Sequence, residues 1–354
     1  MSPNPTNVES VLYENEYEEL LHRKLLKEKT KTNPPLRKRK YEYNWLFILF
    51  LTVFHIQASY GIYLSFTSAK LLTNVFAIVL HLAAFFGATA GTHRLWSHRS
   101  YKATWQLKLI FMILQTLAFQ NSIYIWCLDH RMHHKYSDTD ADPHDTRRGF
   151  FFAHIGWLMV KPHPELVAKR KLIDMSDLKN DPFVRFQIRY YLQLVFLLFA
   201  FLPTIIPWYF WDESLTNAWF VAVCLRYMVT VHLFLLINSW AHRWGTQPYD
   251  TGNSGYETLT VALLTMGEGW HNYHHAFPWD YRAGELSSGL ANSTAFLLKL
   301  FAKIGWAYDL KTVSDDMIKK RTNRTGDGSH STSIWGWGDR EQSDENKRFV
   351  TIEN

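Results

Sequence analysis

The chain has 354 residues, 47% of them apolar, 16% aromatic and 20% charged, with a formal net charge of +6. Its mean hydropathy of -0.19 averages long uncharged runs with polar stretches crowded with histidine; the positive balance suits a phospholipid surface or a phosphorylated small molecule, while apolar segments of bilayer length argue against nucleic acid as a partner. Cys127 and Cys224 are the only cysteines and lie in no CxxC pair, which excludes a disulfide framework, a zinc ribbon and a cysteine-bound iron–sulfur cluster.

Residues 1–45 are first acidic and then basic, with Lys27, Lys29, Lys31 and Arg37 to Lys40 ahead of the first apolar run. They contain no apolar stretch, so no cleavable secretory signal is expected there. Two runs follow, Leu46–Phe66 and Leu71–Ala90. Each supplies the ~20 apolar residues that a bilayer core requires, and a minimal turn makes them a hairpin over 46–90. A second hairpin over 190–237 is read from Tyr190–Trp211 and Thr216–Ile237. Pro203 and Pro207 predict a kink or an early end in its first arm, and Arg226 predicts that its second arm faces protein at that depth. Because the basic residues precede the first span and the short turns carry Lys70 alone, the positive-inside rule places both termini and the 91–189 segment in the cytosol.

The polar mass divides into a first cap part, 91–189, a second, 238–337, and a polar tail, 338–354. Within the first part Leu107–Phe119 is apolar but too short to span, and is expected to be interfacial or buried. If it crossed, the histidines before and after it would lie on opposite sides of the membrane.

Seventeen histidines are present, and their spacing is informative. His93 and His98 form an HxxxxH box after the second apolar run. His130, His133 and His134 form an HxxHH box, which His271, His274 and His275 repeat; His242 follows Asn238 just past the fourth run. Positions i, i+3 and i+4 share one helix face, so each HxxHH box is expected to aim several imidazoles at one point. An even number of spans separates the boxes, which returns them all to one membrane face. Nine imidazoles exceed the needs of one ion and suit two ions with four or five ligands each. Imidazole accommodates iron, copper, nickel and zinc, so ligand type leaves the metal open.

The segments HRLWSH (93–98), DHRMHHKYSD (129–138) and GEGWHNYHHAFPWDYR (267–282) resemble the three histidine boxes of membrane acyl-CoA desaturases, the stearoyl-CoA desaturase family; Asn238–His242 resembles its NSxxH element. The resemblance runs from about Lys40 through Trp337 and leans, in its C-terminal signature, towards the insect branch. It implies an all-α integral membrane protein with four transmembrane helices beneath a cytosolic helical cap, in the endoplasmic reticulum membrane. It further implies two iron ions, a water held by Asn238, a fatty acyl-CoA substrate, and electrons from cytochrome b5 and NADH-cytochrome b5 reductase. By matching position, Gln120 and Trp126 shape the bend of the acyl tunnel, Asn121 and Asp129 meet the CoA head group, and Lys161 meets a phosphate. His81 and Phe85 stand at the tunnel's far end, where Phe85 is expected to shorten it. Leu128, Pro162, Phe234 and Leu235 depart from the family pattern around the CoA and tunnel positions.

An unactivated methylene has neither an acidic proton nor a leaving group, so oxidative metal chemistry is required. Asp129, Asp138, Asp140, Asp142 and Glu268 are candidate partners for the outer imidazole nitrogens. A fatty-acyl hydroxylase is the nearest rival reading. A histidine-rich metal transporter would carry ligands inside its spans, and a zinc hydrolase lacks its HExxH. The sequons at Asn292 and Asn323 fall in the region read as cytosolic, so neither is expected to carry a glycan.

Overall fold

Four apolar helices set the frame, as the computed structural model shows for the described residues, 40–285, 289–331 and 348. The basic segment before Lys40, the Trp335–Gly338 motif and, but for residue 348, the tail from 338 lie outside them. The helices long and apolar enough to cross a membrane are Trp45–Thr67, Leu71–Ser97, Tyr191–Trp211 and Leu215–Ser239. The first is 17% buried and the fourth 61%, so the fourth is the hub and the first turns most of its surface outward, as lipid contact requires. Among the described residues the rest is short helices and loops, with one antiparallel pairing of Lys102–Ala103 with Ala307–Tyr308 and isolated bridges such as Thr246 with Glu257.

The second span runs further than the hydropathy predicts. Wide, π-type turns carry it from Gly87 through Ser97, and every residue there is buried. The apolar run ends near Ala90, but protein rather than lipid covers the extension, so His93 sits on the helix itself instead of beyond its end. In the third span neither proline ends the helix. A wide-turned stretch, Phe196–Phe201, precedes Pro203, and the helix continues through Pro207 to Trp211; such turns relieve the ladder where a proline lacks its N–H.

The helix Trp105–Ala118 meets Ile123–Tyr136 at 82°. By length and composition alone this bent pair could count as a fifth crossing. Yet His98 and His130, which flank the first of the two helices, meet at 2.7 Å, so that helix does not carry the chain across. Gly87 and Gly91 permit its close seat on the second span: a β-carbon at Gly87 would stand 2.7 Å from the Gln115 nitrogen, and one at Gly91 2.7 Å from the Phe111 β-carbon.

Arg226 is 2% exposed and faces protein, donating from Nη1 to the Leu117 carbonyl at 3.2 Å. At the far ends of the hairpins, the Glu213 carboxylate accepts from the Lys70 backbone, Thr73 Oγ1 and Asn217 Nδ2, locking the two short turns together.

Candidate metal centre

The eight box histidines and His242 converge, but not box by box. His93, His98, His130, His134 and His274 form one group, and His133, His242, His271 and His275 another; within each, ligand nitrogens lie within 4.8 Å of one another. The expectation that each HxxHH box aims at one point is therefore corrected. On a helix advancing roughly 100° per residue, positions i and i+4 are ~40° apart, while i+3 lies ~60° to the other side. His130 and His134 accordingly share the first group and His133 enters the second. In the short helix His271–Ala276, His271 and His275 share the second group and His274 crosses to the first.

Every one of the nine presents Nε2. The Nε2 atoms meet at 3.0 Å for His93 and His274, 2.9 Å for His274 and His134, 2.8 Å for His242 and His271, 3.1 Å for His271 and His275, and 3.3 Å for His133 and His275. Nitrogen lone pairs held this close repel unless a proton or a cation lies between them, so the donor set fits two imidazole-ligated ions.

Several Nδ1 atoms are held from outside. Glu268 Oε2 lies 2.8 Å from His93 Nδ1, Asp142 Oδ1 3.0 Å from His133 Nδ1, and Ser254 Oγ 2.9 Å from His242 Nδ1. Glu268 thus supports the first box, not the third beside which it stands in sequence. Asp138, Asp140 and Asp129 pair elsewhere, with Thr146, Arg148 and Arg170. Burial alone would raise Glu268 and Asp142. Arg94 and His93 outweigh it for Glu268, and His133 for Asp142, holding each down to about 2. Burial, reinforced by neighbouring imidazoles, holds His98, His130, His134, His271, His274 and His275 well below the ordinary imidazole value and His242 at about 4. They remain neutral, as metal ligation requires. For His133 burial works downward too, but Asp142 prevails and raises it.

A cavity of about 540 Å³ opens beside the first group, within the ~300–1,000 Å³ usual for small-molecule sites. Gln120, Asn121, Trp126, Asp129 and Asn238 line it, as do Phe234 and Leu235. The Trp126 ring stacks on His130 at 4.9 Å, joining cavity wall to histidine cluster. Lys161 lies elsewhere, its ammonium 2.8 Å from Glu42 and 63% exposed. His81 and Phe85 also lie outside the cavity surface: His81 Nδ1 is 2.8 Å from Thr230 Oγ1, and Phe85 is fully buried. Phe85 nevertheless stacks at 4.2 Å on Phe234, which lines the cavity. Three participants escaped sequence reading. Arg94, adjacent to a box histidine and 1% exposed, was the most findable; Ser254 and Arg170 had no local signal.

Fold and site define a multi-span membrane protein with a paired histidine centre where the helices enter their cap. Residues 70–283 match the fatty acid desaturase family. The chain is 54% identical over 309 residues to the acyl-CoA Delta-9 desaturase of Acheta domesticus, covering 87% of this chain and 86% of that one. It is 49% identical over 310 residues to the acyl-CoA Delta12-desaturase of Acheta domesticus, covering 88% and 86%. To the acyl-CoA Delta(11) desaturase of Trichoplusia ni it is 48% identical over 319 residues, covering 90% and 91%. This chain belongs to the fatty acid desaturase family.

Proposed function

We propose that the chain is an O2-dependent desaturase of fatty acyl-CoA that holds two iron ions and takes electrons from cytochrome b5 and NADH-cytochrome b5 reductase. The observation that carries this reading is the convergence of nine Nε2 atoms, five and four, beside a cavity between the spans. Names among the relatives supply the substrate class, and the five and four donors support the count of two ions. The enzyme sits in the endoplasmic reticulum membrane with both termini and both cap parts, 91–189 and 238–337, in the cytosol.

Bound iron would supply the oxidising power to remove two hydrogens from adjacent methylenes while O2 and two external electrons yield water. The protein's residues position the parts. Glu268, Asp142 and Ser254 engage Nδ1 of His93, His133 and His242, which turns the Nε2 lone pairs inward. Burial of His133, His271 and His274, each 3% exposed or less, excludes bulk water. Trp126, stacked on His130, holds one methylene pair against the centre. Asn238, at the same cavity wall, offers an amide to a bound water. Asn121 and the Asp129–Arg170 pair are placed to meet the polar head of the thioester.

Expression of the full-length chain in desaturase-deficient yeast, with products resolved by mass spectrometry, tests this. An alkene formed only with O2 and iron is the expected result. An alcohol would favour the hydroxylase, and no oxidised product would overturn the assignment.

A further inference from the structure

Three histidines outside the paired centre form a chain of their own. They are His55 of the first span, His232 of the fourth and His154, which ends the short helix Phe150–His154; each is half-buried. His55 Nε2 lies 3.0 Å from His232 Nε2, and His232 Nδ1 lies 3.0 Å from His154 Nε2. The chain continues at both ends. His55 Nδ1 meets the Leu51 carbonyl at 2.7 Å. His154 Nδ1 meets Ser239 Oγ at 2.9 Å, and that hydroxyl donates to the Leu235 carbonyl at 2.8 Å. His55 stands ten residues into its helix and His232 seven before the end of its own, about 15 and 10 Å along the axes at 1.5 Å per residue.

Both ends of the chain are carbonyls, which only accept. Its five contacts each need one hydrogen, while three neutral imidazoles and one hydroxyl supply four. Whichever tautomers the rings adopt, one contact lacks its hydrogen. Water, the usual substitute, is scarce between membrane spans, so that missing bond is costly there. One added proton fills all five contacts. The charge can rest on any of the three rings, because a hydrogen that shifts across a gap passes it to the next ring.

No fixed charge competes for this place. Among the described residues no carboxylate or guanidinium is bonded to the three rings. The first span carries no acidic or basic residue besides His55, its phenols being Tyr60 and Tyr63. Arg147 and Arg148, ahead of the short helix, are paired with Asp140 and Asp145. On the fourth span Arg226 bonds to the Leu117 carbonyl, with Cys224 and Tyr227 beside it in sequence, and past Ser239 the Arg243 guanidinium lies over Trp244. His81 of the second span is bonded to Thr230.

We propose that His55, His232, His154 and Ser239 form a proton-binding site, in which one shared proton closes the chain and fastens the helix Phe150–His154 to the first and fourth spans. Burial lowers His154, so the chain rests one hydrogen short near neutrality and fills as pH falls. The short helix follows the second histidine box and packs on the span that delivers Asn238 and His242, so the junction of spans and cap becomes sensitive to pH. This inference stands apart from the reaction proposed above.

The test is the mobility of that helix. Phe151 is 64% exposed and both native cysteines are buried, so Phe151→Cys takes a maleimide fluorophore selectively. In full-length protein in phosphatidylcholine vesicles, the anisotropy of the label rises as pH is lowered from about 8 to about 5, the range in which imidazole titrates. The rise has the steepness of a single proton. Ser239→Ala removes no titratable group but deletes both contacts of the hydroxyl, leaving three contacts for three hydrogens, and the rise is lost. Ser239→Thr keeps the hydroxyl and the rise. His232→Leu breaks the chain and abolishes it; should that variant fail to accumulate, the two Ser239 variants decide. A rise absent from wild type or from Ser239→Thr, or one that survives in Ser239→Ala or His232→Leu, overturns the site.

Discussion

The two histidine groups are made from the same sequence element yet are supported in different ways. The group of five leans on a helical frame. His93 rides the extended second span, and its Glu268 partner is also bound by the buried Arg94, which donates further to the Tyr281 and Arg282 carbonyls. The group of four leans on loops. His133 is held by Asp142, which also accepts from the backbone N–H groups of Asp138 and His144 and has His144 Nδ1 at 3.7 Å, and His242 is held by Ser254. In the first group an arginine balances the carboxylate whatever the imidazole does; in the second no arginine pairs with Asp142, which accepts instead from backbone N–H groups and faces His133 Nδ1. The first support is therefore part of the fold, and the second is mainly part of the site.

The largest effects should come from the buried imidazoles of the two groups. His274→Ala, in the group of five, and His271→Ala, in the group of four, should each lower turnover by more than ~100-fold, beyond the 10–100-fold typical of outer partners. An active variant of either kind would remove that histidine from the centre. Next comes Glu268→Gln. It leaves Arg94 buried without its counter-charge, and a loss of about 3–5 kcal/mol should appear as a lowered thermal midpoint as well as lost activity. Asp142→Asn should instead lower metal content and rate by roughly 10–100-fold with little change in midpoint. Equal thermal effects from the two would erase the contrast between fold and site.

A smaller effect is expected at Asp177, which binds Arg131 beside the second box and Arg99 beside the first. Burial opposes its ionisation, but the two arginines prevail and hold it at about 2, below its usual 3.8. Its folded value is depressed, so its contribution is present above about pH 4 and is lost as pH falls through about 2. Asp177→Asn should cost about 1 kcal/mol near neutrality, and the difference in thermal midpoint from wild type should shrink below pH 4. A difference independent of pH would show that the pair is not the cause. The smallest effect is none: Asn292 is 0% exposed and caps the helix Ser293–Lys303 by accepting from the Ala295 N–H. Endoglycosidase should leave the mobility of the protein unchanged, and a shift would contradict both its burial and the cytosolic placement.

Much of this was legible in the chain because two periods are strong. Runs of bilayer length disclosed four spans, and the HxxxxH and HxxHH boxes with His242 disclosed the nine imidazoles that the fold brings together. The partition into five and four was latent in the helix angle, since i+3 and i+4 diverge by ~100°, but the spacing alone suggested a shared target. Glu268 opposite His93 was hidden because the pairing joins residues far apart in sequence. The extension of the second span past Ala90 was hidden because hydropathy reads lipid contact, whereas Gly87–Ser97 is covered by protein. The cavity wall was the least legible. Which face of the fourth span meets the first span and which meets the second depends on packing around Phe234 and Arg226, and no local pattern encodes it.

The most direct test of the paired centre is metal analysis of the full-length protein purified from iron-supplied cells, beside His274→Ala and His271→Ala. The account predicts two irons per chain in the wild type and a clear deficit in each variant. A wild type holding one ion, or zinc in place of iron, or variants that retain the full complement, would contradict it.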